Sequence, residues 1–209
     1  MFSGSIVTIL LSLFFLQSGG GIRLHEGGGP KLSDKDEQTG LAVVVFEVVI
    51  GADGSVIADE LIQGRPEYVE RSRLALKDWT FTGVDPKSVP VHASVVFLYR
   101  PQRDFPDAGL SFDQRLPDAF DQEHRSPFPV TVVDPGYPVG ASGEGSVILQ
   151  VTPNAKGGVD DIDLVAGVPS LSEPTVAAVR NWKFHVPSNR KPEDISIVVA
   201  VYRSPKFNR

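Results

Sequence analysis

The chain is predicted to be an α+β protein of two tandem strand–strand–helix–strand units, each a three-stranded antiparallel sheet with one helix packed on a face. Three observations predict it. A gap-free internal repeat relates Leu41–Pro101 to Glu144–Ser204, with 16 identities over 61 positions. Inside each repeat the apolar pattern switches from a period of two to a helical period of about 3.6. Glycine and proline punctuate both copies at the same places, Gly54/Gly157, Gly64/Gly167 and Pro66/Pro169, each pair 103 residues apart. A repeat is sought first because missing one misassigns the whole fold.

Each unit opens on a strand. Val44, Phe46, Val48 and Ile50 alternate with their neighbours, as do Val147, Leu149 and Val151, which implies one buried face. Ala52-Asp53-Gly54 and Ala155-Lys156-Gly157 then supply a tight hairpin, glycine providing the positive φ. A second strand runs from Val56 to Ile62 and from Val159 to Val165, and Gly-x-Pro ends it. Ser72, Ala75, Leu76 and Trp79 repeat as Thr175, Ala178, Val179 and Trp182, one helical stripe in each copy. Trp79 with Phe81, and Trp182 with Phe184, are expected to close each core. A β-branched and aromatic third strand follows at Val91–Tyr99 and Ile195–Tyr202. A crossover through the helix sets it beside the first strand and leaves it on an edge. Units of about 60 residues are marginal alone, so the two copies are expected to pack together.

The domain reading is therefore: 1–20 a signal peptide or short anchor, 21–40 a flexible lead-in, 41–101 the first unit, 102–128 a Pro- and acid-rich linker, and 129–205 the second unit. Ile6–Leu16 is an eleven-residue uncharged apolar run, the length of a signal-peptide core and short of a membrane span. Residues 102–142 hold prolines 106, 117, 127, 129, 135 and 138, a composition read as extended chain. Phe105, Phe112 and Phe120 are placed to tack it onto the units.

Composition narrows function. A net charge of −6 and the absence of cysteine argue against nucleic-acid binding, disulfides, thiolate zinc and cysteine nucleophiles. Histidines 25, 92, 124 and 185 show no ligand spacing, and Asp160, Asp161 and Asp163 fall on a strand, not in a calcium loop. Gly140-Ala141-Ser142-Gly143-Glu144 misses the nucleophile-elbow pattern at its last position. No enzyme, cofactor, metal or small-molecule substrate is expected.

Pro135-Gly136-Tyr137-Pro138, Ala141, Gly145-Ser146-Val147 and Ala177-Ala178-Val179-Arg180-Asn181-Trp182-Lys183-Phe184 together resemble the C-terminal domain of the TonB energy transducers. The likeness covers about 129–203. The first unit keeps Gly54, Gly64, Ala75, Trp79-Thr80-Phe81 and Tyr99, but Asp34 and Lys35-Asp36 stand near where the Tyr137-Pro138 entry motif would be, so it resembles a degenerate copy. The resemblance implies a periplasmic or secreted module, inner-membrane anchoring remaining open, that grips proteins or peptides of the envelope by β-strand addition. TonB-dependent outer-membrane receptors are the implied partners, and transport the implied setting. The edge implied for binding is Ile195, Ile197, Val198, Val199, Ala200, Val201 and Tyr202, with Val91–Tyr99 second. The alternative is a structural envelope scaffold whose units pair with each other and have no transport role. Homo-oligomerisation is compatible with either.

Overall fold

The computed structural model describes residues 21–32, 40–100, 102 and 109–205. The Ile6–Leu16 run, Asp34, Lys35-Asp36 and Phe105 lie outside them. The elements are β1 (Arg23–Glu26), β2 (Ala42–Ile50), β3 (Val56–Gln63), α1 (Pro66–Leu76), β4 (Thr80–Thr82), β5 (Val91–Tyr99), β6 (Ser111–Asp113), α2 (Phe120–Glu123), β7 (Phe128–Val133), β8 (Gly145–Pro153), β9 (Val159–Ala166), α3 (Pro169–Val179), β10 (Lys183–His185) and β11 (Ile195–Tyr202). The fold is α+β and rich in strand. Among the described residues no helix is long and apolar enough to cross a membrane.

The predicted crossover holds in both halves: β5 pairs antiparallel with β2, and β11 antiparallel with β8. Pro66 and Pro169 do more than end a strand. Each sits in the first turn of its helix, α1 or α3, where proline's fixed φ suits the helix and no N–H is missed.

The edges are not where the sequence reading put them. β5 and β11 pair with each other in parallel, from Ala93↔Ile195 to Tyr99↔Val201. They fuse two three-stranded sheets into one of order β3-β2-β5-β11-β8-β9. The repeat spacing is 103 residues, whereas partners across this seam are 102 apart. Side chains paired across a sheet share a face, and a shift of one residue reverses it. The odd offset therefore sends equivalent side chains of the two halves to opposite faces.

Both faces are consequently buried. One carries Val44, Phe46, Val48, Val95, Phe97, Tyr99, Ile197, Val199 and Val201 beneath Leu76 and Tyr68 of α1. The other carries Val43, Val45, Val96, Leu98, Val147, Leu149, Val198, Ala200 and Tyr202 beneath Leu171 and Val179 of α3. Each helix thus covers part of the other half's strands.

Segments read as lead-in and linker finish the cover. Ile22, just before β1, and Leu24, within it, are buried, and β1 pairs with β4. In the stretch 102–128, β6 pairs with the following β7, which pairs with β10, and Phe120 and Phe128 are buried against the second core. Phe112 is partly buried there. Trp79 and Trp182, just past the helix ends, are 1% and 0% exposed, and Phe81 and Phe184 are 4% exposed.

Candidate functional site

The implied binding edge is the least accessible strand available. β11 lies between β5 and β8, and every residue from Ile195 to Tyr202 is buried. Its main-chain groups are already spent in two ladders, so Ile195, Ile197, Val198, Val199, Ala200, Val201 and Tyr202 offer no row of unpaired N–H and C=O groups to an extended peptide. The same holds for Val91–Tyr99, which lies between β2 and β11. The outer strands of the sheet are β3 and β9. They carry Asp59 and Glu60, and Asp160, Asp161 and Asp163. Rows of acids on outer strands disfavour pairing with a second copy of the same edge.

The seam is also where polar chemistry is concentrated. On the α3 face, Glu47, Ser94 and Ser196 stand side by side across β2, β5 and β11, and the Ser94 and Ser196 hydroxyls are 2.8 Å apart. Glu47 is 5% exposed. One of its oxygens meets Nδ1 of His92. The other accepts from the Arg125 N–H (3.1 Å), the Ser126 N–H (3.2 Å) and the Ser126 hydroxyl (2.8 Å). Burial pushes this carboxyl up, but hydrogen bonds from His92, Ser126 and Arg125 outweigh it and hold Glu47 below its usual value. The buried His124 has Nδ1 3.6 Å from the same carboxylate. Histidines that looked isolated in sequence therefore converge on one acid.

A second link completes this clasp. Asp194, 0% exposed, accepts two bonds from Arg125 Nη2, at 2.9 and 3.1 Å, and one from the His92 N–H at 3.0 Å. One short stretch, 124–126, is thus tied to β2 and to the entrance of β11, through two acids that His92 of β5 also bonds. Arg100 at the end of β5 does the same at the other end of the seam: it meets buried Asp134 and lies over the Tyr202 ring, 5.7 Å from its centroid.

The entry motif is a packing device. Tyr137 is 7% exposed, donates to the Gly143 carbonyl at 2.7 Å and meets Tyr202 edge-on at 6.3 Å; Pro138 is half-buried. The first half has a counterpart that the 103-residue spacing hides. Trp79 Nε1 donates to the Gly28 carbonyl and Trp182 Nε1 to the Val133 carbonyl, both at 3.0 Å. Those acceptors are 105 residues apart. In that register buried Pro30 matches buried Pro135, and Leu32, packed on the first core, matches Tyr137.

Other contacts recur at 103 residues. The Tyr99 hydroxyl meets Ser72 Oγ at 2.8 Å, and the Tyr202 hydroxyl meets Thr175 Oγ1 at 2.7 Å. Gly54 and Gly157, at φ 82 and 80°, lie so close to the Phe81 and Phe184 carbonyls that a Cβ would fall 2.0 and 2.1 Å from the oxygen. At the position of Glu47 the second half has Gln150, whose amide donates to the Ile22 carbonyl (2.8 Å) and accepts from the Leu24 N–H (3.2 Å).

Among the described residues no group of three or more His, Asp or Glu side chains is placed to hold a metal ion. The Ser126 hydroxyl donates to the Glu47 carboxylate, not to an imidazole. No curated protein and no solved structure matches the chain. Residues 139–202, from just after Tyr137-Pro138 to the end of β11, match the model of the family described as Gram-negative bacterial TonB protein C-terminal.

Proposed function

We propose that this is an exported, non-enzymatic TonB-like envelope protein built from two copies of the TonB C-terminal module. The first copy has diverged, and the copies hold each other by the strands a lone copy would offer to a partner. The observation that carries this reading is the seam: β11, inside the matched family segment, is hydrogen-bonded on one side to β8 and on the other to β5. The architecture favours the scaffold alternative over peptide capture at β11. Contacts with envelope proteins, outer-membrane receptors included, then run through surfaces other than β5 and β11. Export rests on the Ile6–Leu16 run.

Hydrogen exchange on the intact protein tests the reading. Amides of Ile197, Val199 and Val201 should exchange as slowly as the most protected in the chain. Adding peptides from the periplasmic ends of outer-membrane receptors should leave their rates unchanged. Fast exchange at β11 that such a peptide suppresses would restore strand addition there. The mass of the protein recovered from a periplasmic fraction reports whether the N-terminal run is removed.

A further inference from the structure

A cleft of about 440 Å³ opens where the chain enters the sheet, walled on one side by Gly21, Ile22 and Arg23 and on the others by β8, β9 and the segments after β4 and β10. The entering segment is fixed. The Gln150 side chain holds the Ile22 carbonyl and the Leu24 N–H, and a Cβ on Gly83, at φ 75°, would fall 2.6 Å from the Gly21 carbonyl oxygen. Five lining side chains are acidic and two are cationic. Part of this charge is matched: Asp163 pairs with Arg23 at 3.1 Å, and Asp194 with Arg125, which reaches it from outside the lining. Arg190 faces carbonyls, donating to Pro153 and Asp194 at 3.2 and 3.0 Å. Asp85, Asp161 and Glu193 make no ion pair with a described residue. Counting Arg190 in full against these three acids still leaves an excess of two negative charges.

The shared scaffold does not impose that excess. In the 103-residue register Asp85, Asp161 and Glu193 correspond to Ser188, Ala58 and Pro90, none of them charged. In the 105-residue register of the covering segments Gly21 corresponds to Ser126, where the chain runs on from α2. The unmatched acids thus occur only where the chain comes in from outside the fold.

We propose that this cleft seats the α-ammonium group of the processed chain, with Asp85, Asp161 and Glu193 as its counter-charges. The inference rests on the export reading. A leader peptidase hydrolyses one peptide bond: water adds its hydroxyl to the leader's carbonyl carbon and its hydrogen to the nitrogen, and the amine then takes the carboxyl proton to become an ammonium group. Cleavage ahead of any residue of the small-residue run Ser18-Gly19-Gly20-Gly21 leaves at most three residues before Gly21, a reach of about 10 Å. The cation that processing creates therefore appears beside the unmatched carboxylates.

The test uses the protein recovered from a periplasmic fraction, whose mass gives its first residue. Acetic anhydride at pH 7, followed by peptide mapping, gives the acylation rate of the α-amine in the folded protein and in urea. Nearby carboxylates favour the ammonium form over the nucleophilic amine, so the folded protein should react roughly tenfold more slowly, the effect of a one-unit rise in pKa. Asp161→Asn with Glu193→Gln should bring the folded rate to within about twofold of the unfolded one. Asp160→Asn, on the same strand but bonded to Asn154 outside the cleft, should leave it slow. Circular dichroism checks that each variant keeps the fold. A folded amine that reacts at the unfolded rate would overturn the seat and leave export standing, as would slow reaction that survives the loss of both acids. A mass that still contains Ile6–Leu16 would overturn it together with the export reading. Binding of a Lys-rich octapeptide by a mature protein whose amine is freely reactive would assign the acids to an external cation instead.

Discussion

Glu47 and Gln150 occupy the same place on equivalent strands, yet each secures its covering segment with different chemistry. Gln150 faces a single extended strand and matches one N–H and one C=O with the two ends of its amide. Glu47 faces a bend in the chain and collects only donors: two backbone N–H groups, a hydroxyl and an imidazole. A neutral amide suits a strand, which presents donors and acceptors in alternation. A carboxylate suits a turn whose N–H groups converge, provided that enough donors meet the cost of burying the charge. The α3 face therefore carries a charge-dependent clasp, and the α1 face a neutral one.

The largest expected effects lie where the halves are alike. Trp79→Ala and Trp182→Ala should each cost about 3–5 kcal/mol, because each empties a fully buried site and orphans a strap carbonyl. Urea unfolding measures both, and a large gap between them would show that the two cores are not equivalent. The comparison is sharpened by Glu47→Leu, which leaves the Arg125 and Ser126 N–H groups without their acceptor and should cost about 3 kcal/mol. Gln150→Leu should cost about half as much by the same measurement, since no charge is involved.

Acidity separates the two clasps. The Glu47 carboxyl, with His92, His124 and Arg125 facing it, titrates below its ordinary 4.5. A folded value below the unfolded one means its contribution is complete above the unfolded value and is lost as pH falls through the folded one. Stability should decline between about pH 5 and pH 3, and Glu47→Gln should flatten that decline while Gln150→Glu should not. Smallest of all is Arg23→Ala, which removes an exposed ion pair to Asp163 at 3.1 Å and should change stability by less than about 0.5 kcal/mol.

Much of each half was legible in the chain. The third strands begin and end at the residues their composition indicates, and the glycine turns fall at Gly54 and Gly157. The fusion had a signal too. Ile195–Tyr202 reads ISIVVAVY, apolar on both parities save one serine, as expected of a strand buried on two faces and not of an edge. The strands that carry the acids, VIADELIQ and VDDIDLVA, are the outer ones. The straps were harder. β1 spans only Arg23–Glu26, too short for periodicity, and its counterpart β7 lies 105 residues on, two more than the spacing of the rest of the repeat. Composition likewise read 102–128 as linker, although Phe120 is buried in a core.

By itself the sequence determined what is local: strand, turn, helix start, and the pairing of neighbouring strands within each half. Those features depend on side-chain spacing and on φ preferences written into single residues. Only the tertiary structure decided which strands are edges, that β5 and β11 consume each other, and that His92, His124 and Arg125 meet around Glu47 and Asp194. An unpaired backbone edge has the same N–H and C=O groups whatever its side chains. Which partner takes it is settled when one odd step of register lets both faces of both halves be buried at once.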